Sequence, residues 1–207
     1  MKHLLSALAA MVLVGISNGQ AASSVDLSVR GVITPAACTP TLSGGGLVDY
    51  GKISAGDLAA TGSTRLPPAR LQLTVNCEAV TIMAVNVLDN RAGTSLASVF
   101  GLGLAPGGKR IGSYYLLTEN ATGDGIARAM IESSAHSNGW MPADGMQWQA
   151  NWMRTLNGGS DSSPFPLPVQ VLQTEVVVMA SINDKSTLPI TQEIQLDGNA
   201  TLDIVYL

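Results

Sequence analysis

Charge is scarce in this chain. Only 13% of its 207 residues are Asp, Glu, Lys or Arg, against roughly a quarter in ordinary soluble proteins. The formal net charge is −4 and the cations are scattered. That excludes the basic stripe with which proteins hold nucleic acid or an anionic membrane surface. Aromatic residues make up 4% of the chain, so a core must be built from Val, Leu, Ile, Ala and Met. There are two histidines, His3 and His136, and two cysteines, Cys38 and Cys77. Cysteines that far apart exclude a C-x-x-C metal or redox site, and no metal centre is expected. With 46% hydrophobic residues, a chain this poor in charge is expected to cover part of its surface with a partner.

Long apolar runs are also missing, except one. Residues 1–24 carry Lys2 and His3, then an apolar run from Leu4 to Ile16, then small residues at Gly19, Ala21 and Ala22. This is the layout of a cleavable secretory signal, and the run is shorter than the roughly 20 residues a membrane helix needs. Residues 1–21 are therefore read as a signal peptide and 22–207 as one exported domain, with no membrane insertion after cleavage. Losing Lys2 takes the formal charge from −4 to −5. In an oxidising compartment the two cysteines most simply form one disulfide; two buried free thiols are the alternative. Closing a loop of that length is worth on the order of 4 kcal/mol in the chain-entropy model.

The rest reads as strands. In "SSVDLSVRGVITPAAC", Val25, Leu27, Val29, Gly31 and Ile33 share one face, which is the period of a half-buried strand. A short strand is expected around Val48–Ile53 after the glycines of "LSGGG". "RLQLTVNC" puts Leu71, Leu73, Val75 and Cys77 on one face. "AVTIMAVNVLDNRAG" is apolar on both faces and is expected to be central, ending in turn chemistry at Asp89-Asn90 and Gly93. Short strands are expected near 98–104, 111–118 and 126–132. "VQVLQTEVVVMASI" is expected to be one long strand with a bend. Another strand is expected at 190–196, and the turn "LDG" leads into a closing strand at 199–207. Trp148 and Trp152, four apart, fit either a helical turn or a long loop. About ten short strands with frequent turns predict an all-β sandwich.

Catalytic chemistry finds little support. His136 has Glu132, Ser133 and Ser134 nearby, but no nucleophile-elbow pattern accompanies them. "GLGLAPGG" and "GGG" lack the spacing and partner residues of phosphate-binding loops. Asp89, Asp124, Asp144 and Asp161 border glycine-rich turns without the dense pattern of a calcium loop. Asn120-Ala-Thr and Asn199-Ala-Thr match the N-glycosylation pattern. Trp140, Trp148 and Trp152 would serve either as core fillers or as a stacking platform for sugar. No enzymatic activity and no cofactor are expected.

Both chain ends carry a family likeness. "VRGVITPAAC" resembles the start of chaperone–usher pilus subunits, "RLQLTVNC" their second strand, and "NATLDIVYL" their C-terminal strand with its penultimate Tyr206. "VNVLDNRAG", "FGLGL", "GKRIGSYYL", "ENATGDG" and "LDGNATLDIVYL" resemble a family of exported proteobacterial proteins classed as a domain of unknown function (DUF1120-like) that often accompanies fimbrial gene clusters. The resemblance implies an immunoglobulin-like, pilin-type sandwich that lacks its final strand. It implies that Ala200, Leu202, Ile204 and Tyr206 form an inward or partner-facing row, and that Val25, Leu27 and Val29 form a donor row. The partners implied are a periplasmic chaperone and neighbouring fimbrial subunits, with a surface receptor or glycan beyond them. The location implied is the periplasm and then the cell surface. Only about 16 residues separate Ala22 from Cys38, so arm and first strand share residues. That leaves open a terminal subunit, a minor component, or a sandwich that completes itself. The ligand-binding alternative is a self-contained periplasmic or secreted sandwich.

Overall fold

The computed structural model describes residue 28 and residues 37–96, 99–134, 137 and 139–207. Residues 1–21, read above as a signal peptide, the donor candidates Val25, Leu27 and Val29, and His136 lie outside the described residues. From the N-terminal side the strands are β1 (Cys38–Leu42), β2 (Thr64–Arg65), β3 (Ala69–Thr81) and β4 (Met83–Asp89). Four short or long strands follow: β5 (Phe100–Gly101), β6 (Leu104–Ala105), β7 (Lys109–Arg110) and β8 (Gly112–Gly123). Then come β9 (Ile126–Ala127), β10 (Met130–Ser134), β11 (Met141–Pro142) and β12 (Trp152–Leu156). The chain closes with β13 (Val169–Ile182) and β14 (Ala200–Tyr206).

The fold is an all-β sandwich. One layer has the order β1-β3-β13-β8-β5, with β2 added on β13 and β9 on β8; the other has the order β11-β10-β12-β4-β14, and β6 and β7 form a separate two-stranded ribbon. The pairings within both are antiparallel. Strand β3 shows why: Leu73, Val75 and Cys77 are buried while their neighbours alternate outward. They face Met83, Val85 and Val87 of β4, all at most 1% exposed. Fully burying an aliphatic side chain of this size contributes roughly 1.5–3 kcal/mol, so this period-two row decides which face is core. The long β13 bends where its register shifts, near Val169–Val171 and Gln173–Glu175, as bulges do. At Gly112 a Cβ would lie 2.1 Å from the Ser181 carbonyl oxygen, so only glycine lets β8 approach β13 there.

Two readings of the sequence change, and one open alternative is decided. Residues 48–53 and 190–196 are patterned like strands but take part in no sheet. The region around Trp148 is a loop rather than a helical turn, with Trp148 in an isolated bridge to Leu116. Among the described residues no strand lies between the first two segments, so neither has a neighbour there to pair with.

Candidate functional site

The two edge strands β1 and β14 meet at one side of the sandwich. At one end of that side the structure is tied shut. Cys38 and Cys77 are directly opposite in the β1–β3 register and form a disulfide. The Cys38 backbone N–H donates to the Tyr206 hydroxyl at 2.8 Å. The Leu207 N–H donates to the Ile82 carbonyl at 3.1 Å. Along β14, Ala200, Leu202 and Ile204 are half-buried and pack on the core, whereas Thr201 and Asp203 are exposed. Tyr206 remains 37% exposed. The row expected for the closing strand thus faces inward, and its last member reaches across to β1.

The other end is open. Gly44, Gly45 and Gly46 take φ of +60°, +66° and +76°, a left-handed run that strongly favours glycine. It turns the chain away from β3. Val48, Tyr50 and Ile53 then point inward in part, while Leu47, Asp49 and Lys52 are exposed. Across from them Ile190, Ile194 and Leu196 are half-buried and Glu193 and Gln195 exposed. Among the described residues no backbone hydrogen bond joins these two segments. Between them lies a groove of about 660 Å³, floored by Ile111, Ile182 and Leu188. That volume falls within the range of ligand-sized clefts. Lys52 Nζ and Glu193 Oε1, 3.0 Å apart, are the one ion pair linking the two walls among the described residues. Their side chains are 93% and 79% exposed, so solvent screens the pair.

A polar clasp sets where β14 begins. The Asp89 carboxylate accepts the N–H of Arg91 at 2.8 Å and of Gly101 at 3.2 Å. The Arg91 guanidinium reaches the Asp197 carboxylate at 2.7 Å and the Asp197 carbonyl at 2.9 Å. Asn90 bonds the side chains of Asn199 and Thr201. The motifs "VLDNRAG", "FGLGL" and "LDGNAT" therefore converge on one junction between β4, β5 and β14.

The other candidates have structural partners. Asp124 accepts the N–H of Val171 at 2.8 Å, and Asp144 that of Met130 at 3.2 Å. The Asn120 amide donates to Glu175 at 3.1 Å. Trp148 is 1% exposed and its indole N–H donates to the Trp152 carbonyl at 2.8 Å, so its face is not offered to a sugar. Glu132, read from the sequence only as a neighbour of His136, is buried and holds Arg154 at 2.7 Å. Arg154 also donates to Thr118 of the opposite sheet at 2.8 Å and lies over the Trp148 ring. Burial pushes the Arg154 pKa down, while Glu132 opposes that shift. This inter-sheet pin was missed because the three residues are far apart in sequence and carry no motif.

The geometry defines an antiparallel β-sandwich with one edge closed at one end and unzipped at the other. Residues 27–99 match the family model described as "Protein of unknown function (DUF1120)". The chain is 29% identical to Protein GltF of Escherichia coli (strain K12), over 98% of this chain and 96% of that protein. It is 24% identical to Uncharacterized protein YhcF of the same strain, over 92% and 93%. Among the described residues no helix is long and apolar enough to cross a membrane.

Proposed function

We propose that this protein is a non-enzymatic subunit or accessory component of a chaperone–usher fimbria that works by β-strand complementation. The observation that supports this most is the unzipped edge. Two segments with strand-like alternation, 48–53 and 190–196, stand unpaired on either side of an apolar groove. A strand laid between them gains backbone hydrogen bonds along its length, and its alternate side chains fill the groove. On this reading a periplasmic chaperone or a neighbouring subunit supplies that strand. The exported signal-bearing chain then acts in the periplasm and at the cell surface, where adhesion to a receptor or glycan is its role. The sugar-stacking platform of the ligand-binding alternative loses Trp148, which is inside the core.

The test is expression in a periplasm with and without a fimbrial chaperone. The expected result is a protease-sensitive, poorly accumulating chain alone and a stable one-to-one complex with the chaperone. A protease-resistant monomer accumulating equally without any chaperone contradicts the reading.

A further inference from the structure

The core holds a charge pair that the open edge leaves unexplained. Glu132 of β10 and Arg154 of β12 are 1% and 0% exposed. Arg154 Nε and Nη2 donate to Glu132 Oε2 at 3.0 and 2.7 Å. Nη2 also donates to the Met146 carbonyl, and Nη1 to the Thr118 hydroxyl, both at 2.8 Å. Among the described residues, the Thr118 bond is the one between side chains that joins a strand of one layer to a strand of the other. The loop between β11 and β12 is drawn into the same place. Its Trp148 ring lies under the guanidinium, and its Trp148 N–H donates to the Leu116 carbonyl of β8 at 2.8 Å.

Stability does not account for this pair. Taking two charges out of water costs about as much as their attraction returns, so an apolar pair of similar volume is often as stable or more stable. What an apolar pair lacks is direction. Aliphatic rows such as Leu73 and Val75 against Val85 and Val87 can repack after a slide, and cores lose uniqueness before they lose stability. The planar guanidinium cannot. A slide of about 3.3 Å, one residue along a strand, breaks the Thr118 bond and leaves a buried donor without a partner. The pair also stands on the flank away from the open edge. β8 is three strands from β1 in its layer, and β10 and β12 lie beyond β4 from β14 in the other. We propose that the Glu132–Arg154–Thr118 pin is a register lock. It fixes the alignment of the two layers from one flank, so that this alignment does not depend on the β1–β14 edge being filled.

The experiment compares the disulfide-bonded chain with two variants. Glu132→Leu with Arg154→Met removes both charges at similar volume. Thr118→Val removes only the hydroxyl that links the layers. Each is read by its urea midpoint, by binding of the dye ANS and by amide exchange of β8, β10 and β12. For the double variant we expect a urea midpoint at or above the parent's, with ANS bound and protection of those amides reduced about tenfold or more. For Thr118→Val we expect exchange near residues 118 and 154 to quicken about tenfold beyond what its urea midpoint explains, the scale of one hydrogen bond to a charged group. A double variant that keeps the parent's protection and binds no ANS overturns the lock. So does a double variant whose urea midpoint falls, since the pair is then a source of stability, and so does exchange in Thr118→Val that follows its midpoint alone. None of these readouts involves a chaperone or an added strand, so failure here leaves the fimbrial reading standing.

Discussion

The two ends of one sandwich edge make an instructive pair. At the disulfide end, β1 is tied to β3 by the Cys38–Cys77 bond and to β14 by the hydrogen bond from the Cys38 N–H to the Tyr206 hydroxyl. At the groove end, the continuations of the same two strands, residues 48–53 and 190–196, carry the same alternation but are linked only by the exposed Lys52–Glu193 pair. The residue types differ little between the ends. What differs is whether a partner backbone lies within reach. Strand pattern records which face is apolar; pairing requires a neighbour, and at the groove end none stands among the described residues.

Substitutions that strike one end and spare the other sharpen the contrast. The largest effect on folding is expected for Leu202→Asp, which puts an unpaired carboxylate against the core and costs several kcal/mol. Ile194→Asp, in the groove wall, is expected to cost much less in urea denaturation while abolishing capture of an added strand. Equal losses of stability at the two positions would mean the groove end is as much core as the closed end. Next in size is Cys38→Ser with Cys77→Ser. With 39 residues of sequence separation, its loss is expected to lower stability by about 2–4 kcal/mol. Tyr206→Phe removes the bond to the Cys38 N–H and is expected to cost about 1 kcal/mol in the same assay.

The smallest effects come from titration. Burial raises the pKa of Tyr114, which stacks on Phe100, and that of Tyr50 above the ordinary value of 10.0. Their neutral forms are favoured in the folded state. That stability is fully present below pH about 10 and is lost as pH rises from there through the folded-state values. The thermal midpoint is therefore expected to hold between pH 7 and 9 and to fall above pH 10. Phe at position 114 should flatten the fall, whereas Phe at position 50 should change it less.

Much of this was legible in the sequence and some was not. The row Leu73, Val75 and Cys77, the bent strand at 169–182 and the closing strand at 200–206 were readable because period-two patterning and burial coincide there. The strands expected at 48–53 and 190–196 carry the same signal, but among the described residues neither has a strand neighbour to pair with. The disulfide was readable from the cysteine number together with the expectation of an oxidising compartment. The Glu132–Arg154–Thr118 pin was not, because a buried ion pair across two sheets leaves no local periodicity. The clasp at Asp89, Arg91 and Asp197 was visible only as recurring short motifs, with no hint that they meet.

The most direct test of the open edge is amide hydrogen exchange on the chain with and without a strand peptide such as residues 24–34. The account predicts fast exchange at 48–53 and 190–196 in the free chain, strong protection of both segments on binding, and no change in the already protected β4–β14 ladder. Protection of both segments in the free chain, or binding that leaves them fast, would contradict it.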